Sequence, residues 1–378
     1  MTKSIYLDNI SATKPSSQAV CKTLSYYEEC FGSITSPHQM GQELVQDAQK
    51  YYKSLHETFG AENECQFVAT SSGAEAVSQI ISSVVHEVVR LQGKNHFVCR
   101  KNDEAPAILA CSTLVDEACT FTLADVSENG YMTEQALIDS ITPRTALISC
   151  SMACALTGVI QPLDELIAFA KSRAILVHID ATHCIGKIPV HFDDIGCDYL
   201  SFNGNQFHAL DGTGGFFVKK LTPVKPLIYG KNIHVANLAG LTEAALEAKE
   251  NETLYCTEVA RLREKFESAL ESKNAKVLFK DAERLPHISC ISFPGIKSEA
   301  LLFALSRKNI SASMGGGPLQ HIQRVLEASH IAKPDSQCAL TFSLSKDTTE
   351  SDIDRAIILI SECIERLRKT SKVYFSHE

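Results

Sequence analysis

Through its first two-thirds the chain alternates short apolar runs with longer stretches of helical periodicity. Gln66 to Ala69, His96 to Cys99, Ala107 to Ala110, Ala146 to Cys150, Ala174 to Ile179, Tyr199 to Phe202 and Gly215 to Val218 read as buried strands. Ala74 to Leu91, Thr133 to Ile141 and Leu163 to Ser172 read as helices between them. A strand buried on both faces needs helices above and below it, and a parallel neighbour needs a crossover long enough to hold one. The rhythm therefore predicts an α/β fold, with a large domain whose mostly parallel sheet is sandwiched by helices. After about Leu241 the pattern changes to a long polar helix, Thr242 to Ser272, and short strands around Ile288 to Phe293 and Leu340 to Leu344. The last helix opens at Thr349 with Asp352 three residues on, and sets Ile353, Ala356, Ile357, Ile360, Ile364 and Leu367 on one face. The expected division is a large domain over residues 14–245 and a smaller α+β domain from residues 1–13 and 246–378, with Tyr6 to Thr13 packing across one of them.

Two such cores need apolar residues, and these make up 44% of the 378 residues against 21% charged. With 36 Lys and Arg against 45 Asp and Glu, the net charge of -9 would repel nucleic acid and anionic membrane. No stretch approaches the roughly 18 apolar residues of a spanning helix, and Met1 to Tyr6 lacks a secretory apolar core. A cytoplasmic location is expected. Fourteen Cys scattered singly fit reduced, buried thiols better than a disulfide framework.

Ala174 to Asp180 is an apolar strand ending in an acid, followed by a small-residue loop and a second strand, Tyr199 to Phe202, with polar residues after it. This sets several side chains at the carboxyl ends of neighbouring parallel strands, where open α/β sheets bind ligands. The run resembles the cysteine desulfurases, pyridoxal-phosphate enzymes of the class V aminotransferase group. The resemblance extends to Tyr6-Leu7-Asp8-Asn9, Phe31-Gly32 with His38 and Gly41, Thr70-Ser71-Ser72-Gly73-Ala74, Gly158 to Pro162, His178-Ile179-Asp180-Ala181 and Thr341-Phe342-Ser343-Leu344. It implies the pyridoxal-phosphate-dependent transferase fold type I.

Transferred residue by residue, the resemblance implies losses. Where the family carries Ser-Ala-His-Lys, with the lysine that condenses with the cofactor, this chain has Asn203-Gly204-Asn205-Gln206. A carboxamide can neither condense with an aldehyde nor act as a base near neutral pH. Lys187, Lys219 and Lys220 stand at positions of scaffold or surface character. The persulfide cysteine of the family's mobile loop aligns with Pro318, in the run Ser313-Met314-Gly315-Gly316-Gly317-Pro318, and Cys338 reads as a core residue. The arginine that clamps the substrate carboxylate aligns with Thr341.

In the family a Ser-Gly-Ala-Thr turn opens a helix and holds the phosphate, with a Gly-Thr from the partner subunit. The equivalents here are Ser72-Gly73-Ala74-Glu75 and Gly240-Leu241. A carboxylate beside a phosphate at 4 Å repels it by about 4 kcal/mol per charge pair at effective dielectric 20. Two readings of Glu75 stand: a carboxylate that replaces the ligand over the helix amino terminus, or a first-turn acid directed to solvent. Asp180 matches the acid that protonates the ring nitrogen, His183 replaces a glutamine, Ala105 a stacking histidine and Ala155 an asparagine. His178, Asp180, His183 and Cys184 lack the paired spacing of a zinc site. His208 occupies a position of structural character.

The expectation is a cysteine desulfurase-like pseudoenzyme that binds no pyridoxal phosphate covalently, retains a homodimer, and has a binding or regulatory role in iron-sulfur or sulfur metabolism. One alternative is a class V enzyme that holds pyridoxal or pyridoxamine phosphate noncovalently, with His183 or His208 as base. The other is an interaction module for an iron-sulfur scaffold protein or an active desulfurase.

Overall fold

The computed structural model describes residues 4–61, 65–114, 118–230, 234–317 and 319–375, with side chains through Lys369. The short strand β1 (Ile5–Tyr6) precedes a central sheet of β2 (Cys65–Thr70), β3 (His96–Arg100), β4 (Thr120–Ala124), β5 (Thr145–Ser151), β6 (Leu176–Asp180), β7 (Tyr199–Asn203) and β8 (Gly214–Lys219). Its order is β2-β8-β7-β6-β5-β3-β4. The five strands from β7 to β4 are parallel, and β8 runs antiparallel to both β2 and β7. Successive side chains point to opposite faces, so Phe97, Cys99, Tyr199 and Phe216 enter one buried cluster while Val98, Leu200 and Phe217 enter another. Each face must then be covered. Helices Gly73–Val84 and Ala105–Thr113 cover the first, and Gln39–Thr58, Leu163–Ser172 and Val235–Leu254 the second. This is the sandwiched α/β sheet expected from the alternation.

A third cluster belongs to the carboxyl-terminal half, with β9 (Lys276–Val277), β10 (Ile288–Ser292), β11 (Ile310–Ser311) and β12 (Ala339–Ser343). β1 pairs in parallel with β11, and Asp8 bridges Ser343, so the amino-terminal segment is stitched to this half. The final helix, Glu350–Phe375, begins as the Thr349–Asp352 pair implies. Thr349 Oγ1 accepts from the Asp352 amide at 3.1 Å, and the Asp352 carboxylate takes the Thr349 hydroxyl at 2.7 Å.

Three sequence expectations are corrected. Ala107 to Ala110 is helix, not strand, within Ala105–Thr113: Pro106 fixes a helical φ in the first turn, and the buried Ala107, Ile108 and Cys111 lie on one helical face. The long polar helix begins at Val235, well before Thr242, and continues through a π-helical turn at Tyr255–Val259 to Ala260–Glu271. Gly240-Leu241 therefore lies inside a helix. A Cβ at Gly240 would sit 2.0 Å from Thr23 Oγ1, so glycine permits the close crossing with helix Ser17–Glu28, and Leu241 is 2% exposed in the core. A buried helix interior offers no free amides to a phosphate, which removes these residues as a phosphate-holding element. The sheet-edge strand β4 has no counterpart among the expected elements, because only one of its five residues is buried.

Five phenylalanines lock the segment after β7. Phe202 stacks on Phe59 and Phe67 at centroid distances of 4.9 and 5.9 Å, and Phe207 meets Phe202 edge-on at 5.7 Å, with Phe217 alongside. The turn Gly204–Phe207 is thus held at both ends by buried aromatic rings.

Candidate functional site

Strand register sets Ser151 and Asp180, at the carboxyl ends of β5 and β6, level with Ser201 in the middle of β7. The loops beyond β3, β5 and β6 meet the Ser313–Gly316 segment of the smaller half around a cavity of about 260 Å³. Asn102, Glu104, Ala155, His183, Gly316 and Gln320 are among its lining residues.

Charge in this region is dominated by acids. Arg100, fully buried at the end of β3, pairs with Asp103 at 3.1 Å. Burial alone would raise the Asp103 pKa, but Arg100 and the Ser151 hydroxyl and amide hold the carboxyl below its usual range. Glu104 feels the Arg100 charge only at longer range. Burial raises its pKa, and its oxygens accept from the Ala155 amide at 3.2 Å and from the Gln320 side chain. Burial pushes Asp180 up to about 6 against hydrogen bonding from Thr182, and pushes His183 down to about 4 against the attraction of Asp180. His178 lies deeper, held by the Ser149 and Ser201 hydroxyls at 2.8 Å each. No group of three metal-ligating side chains occurs among the described residues.

Gln206 is 5% exposed and donates Nε2 to the Ile10 carbonyl at 2.9 Å. Its own backbone carbonyl accepts from Lys187, which also donates to the Ile185 carbonyl at 3.1 Å. Burial lowers the Lys187 pKa to about 7, and the side chain does not line the 260 Å³ cavity. His208 lies outside it as well. Its ring nitrogens bond the Lys14 carbonyl at 2.8 Å and the Tyr255 hydroxyl at 3.3 Å.

Helix Gly73–Val84 has Ser72 as its N-cap, and Glu75 reaches back past it to the preceding residue, a variant of the capping box. Ser72 Oγ accepts from the Glu75 amide at 3.1 Å, and Glu75 Oε2 accepts from the Ser71 amide at 2.7 Å and from the Ser71 hydroxyl. Of the two readings of Glu75, the carboxylate folded over the helix amino terminus is the one observed.

The aminotransferase class-V family model matches residues 5–356. A cysteine desulfurase of Gluconacetobacter diazotrophicus is 31% identical over 384 residues, covering 97% of this chain and 95% of that protein. This chain belongs to the cysteine desulfurase family. Cysteine desulfurase NifS of Azotobacter vinelandii is 29% identical, with 97% of this chain and 94% of that protein covered. Among solved structures, a NifS-like protein matches with a TM-score of 0.89 at 25% identity, covering 97% of this chain and 100% of that one.

Within this desulfurase architecture five of the expected positions line three separate concavities, and Ser72, Gly73, Asp180, Asn203, Asn205 and Gln206 line none of the three. Ala155 and His183 line the 260 Å³ cavity. Ala74 and Ala105 line a neighbouring one of about 570 Å³, and Gln320 borders both. Glu75 faces a groove of about 880 Å³ that also includes Thr213 and Leu241. Asn203 ends β7 against Gly73, whose Cβ would meet Asn203 Cβ at 3.1 Å, and Asn205 donates to Asp211 at 3.0 Å. Thr341 is fully buried, donates its hydroxyl to the Leu156 carbonyl at 2.7 Å and does not line the cavity. Cys338 is buried ahead of β12. Pro318 lies outside the described residues.

Asn102, Glu104 and Gln320 were not anticipated from the sequence. An acid directly before a helix with Pro in its first turn was a usable signal for Glu104. Gln320 reaches Glu104 across 216 residues, and no local pattern marks such a contact.

Proposed function

We propose that this member of the desulfurase family is a catalytically inactive pseudoenzyme with a binding or regulatory role in iron-sulfur or sulfur metabolism. The observation that carries the reading is Gln206. Where the family resemblance places an amine, this chain has a buried amide whose nitrogen is committed to the Ile10 carbonyl. The residues present do not fit pyridoxal phosphate. The helix terminus that would hold a phosphate carries the Glu75 carboxylate, and like charges there oppose binding. Thr341 gives no cation for a carboxylate, and Lys187 is engaged with two carbonyls away from the cavity.

Asp180 and His183 support a second reading, noncovalent binding of pyridoxal or pyridoxamine phosphate with His183 as base. An imidazole titrating at about 4 is a weak base at neutral pH, which favours the first reading. His208, with both ring nitrogens bonded elsewhere, has no place in that alternative. A cytoplasmic setting, a homodimer, and partnership with an iron-sulfur scaffold protein or an active desulfurase complete the proposal. The free thiols and the net charge of -9 agree with the cytoplasmic part.

Purified protein incubated with pyridoxal phosphate and desalted is expected to show no cofactor absorption, and cysteine with a reductant to yield no sulfide. A stable chromophore together with sulfide release would overturn the reading.

A further inference from the structure

The central sheet and a helix that covers it bring two thiols into contact. Cys99 is the fourth residue of β3, and strand alternation sends its side chain, with that of Phe97, into the cluster under helix Ala105–Thr113. Cys111 lies on the buried face of that helix, one turn after Ala107 and Ile108. The two sulfurs are 3.7 Å apart, and each residue is 1% exposed. Cys150, the neighbouring thiol, turns its own sulfur to the Ser151 carbonyl at 3.4 Å. A disulfide holds its sulfurs about 2.05 Å apart, so a closure of about 1.7 Å separates the Cys99–Cys111 contact from a bond.

We propose that Cys99 and Cys111 form a reversible oxidation site, joined as an intrachain disulfide by hydrogen peroxide. The first sulfur, as thiolate, attacks a peroxide oxygen, the O–O bond breaks, and a sulfenic acid and water result. The second sulfur attacks the sulfenic sulfur, the S–O bond breaks, and a second water leaves. Two electrons and two protons pass from the thiols to the peroxide, and a thiol reductant reverses the change by exchange. The closed loop contains Asn102, Asp103 and Glu104, which line the 260 Å³ cavity, and Ala105, Pro106 and Leu109, which line the 570 Å³ one. Oxidation therefore ties a shared wall of both concavities to the sheet. The hydrogen bond with Cys111 and burial hold the Cys99 thiol well above its usual range. The thiolate is the reactive form, so the pair stays reduced until peroxide is present and helix Ala105–Thr113 opens. This inference does not depend on the pseudoenzyme reading, because the pair lines neither cavity.

The test is peptide mass mapping of the full-length protein. Exposed Cys21, Cys30 and Cys256 are first blocked with iodoacetamide in the native state. The protein is then treated with hydrogen peroxide, with and without urea below the unfolding transition. The expected product is a peptide pair linked through Cys99 and Cys111, formed faster in urea and lost on treatment with dithiothreitol. The oxidised protein should show slower amide hydrogen exchange over residues 100–111 and a higher thermal transition than the reduced protein. Cys111→Ser should abolish the linked peptide, and Cys99→Ala does the same should that variant fail to fold. Cys150→Ala should keep it. Linkage of either cysteine to Cys150, sulfinic acid at Cys99 in place of the linked peptide, or no linked peptide with or without urea would each overturn the pairing. A linked peptide with unchanged exchange over residues 100–111 would overturn the tie to the cavity wall.

Discussion

Glu75 Oε2 accepts the Ser71 backbone amide at 2.7 Å, so the helix Gly73–Val84 directs one of its own carboxylates onto its amino terminus. Amides at a helix start carry partial positive charge and attract anions from solution. The Glu75 carboxylate lies beside that positive end, bonded to Ser71 just ahead of the N-cap, where it opposes an incoming anion.

Glu75→Thr should therefore raise the affinity for sulfate or phosphate and lower unfolding stability by about 0.3–1 kcal/mol. Anion titration followed by urea denaturation of the same samples measures both. Unchanged anion affinity would show that Glu75 does not compete for the site.

Gln206→Lys alone is expected to yield no sulfide from cysteine. The new ammonium would enter a site that is 5% exposed, against a backbone already bonded to Lys187, while Glu75 and Thr341 remain. Borohydride trapping with pyridoxal phosphate and peptide mass mapping should find no modified lysine at 206 in the variant, and none at Lys187 in the native chain. Sulfide release by the single variant would overturn the proposed reading of Glu75 and Thr341.

Thr341→Arg is expected to destabilise the fold strongly rather than create a carboxylate clamp, because position 341 is fully buried and its hydroxyl serves the Leu156 carbonyl. Thr341→Val isolates that bond and should cost about 1–3 kcal/mol, the penalty of an unsatisfied buried acceptor. A Val variant as stable as the native chain in urea would mean that the Leu156 carbonyl finds another donor.

Acid should weaken the fold through its buried histidines. Burial holds His178 and His208 at about 4, below the ordinary 6.5. A depressed base contributes stability that is present above the unfolded pKa and lost as pH falls through the folded one. Each therefore contributes about 3 kcal/mol that disappears between about pH 6.5 and 4. Asp180, raised to about 6 from 3.8, has the opposite slope: its contribution is present at low pH and lost as pH rises through 6. His183, also held at about 4 by burial, has the same sign as His178 and His208, so these three histidines outweigh the Asp180 carboxyl; stability should fall on acidification, and His178→Gln should flatten the limb by roughly one proton. Urea unfolding free energies across this range decide it. An unaltered slope would place the titration elsewhere.

The layered sheet was legible because burial on two faces leaves a direct mark, continuous apolar runs such as Ala146 to Cys150 within β5. Ala107 to Ala110 misled for the same reason, since a short apolar run on a buried helix has the same composition as a strand. The position of Gly240 was unreadable in isolation. Only its contact with Thr23, more than two hundred residues away in sequence, explains why glycine is there.

That residue 206 is an amide, residue 318 a proline and residue 341 an uncharged hydroxyl are statements about side-chain chemistry, and residue identity settles them without coordinates. Tertiary structure decided which way Glu75 turns, that Gln206 reaches Ile10, and that Asn102, Glu104 and Gln320 converge on one cavity. Functional groups belong to single residues, whereas their partners and solvation depend on distant segments brought together by packing.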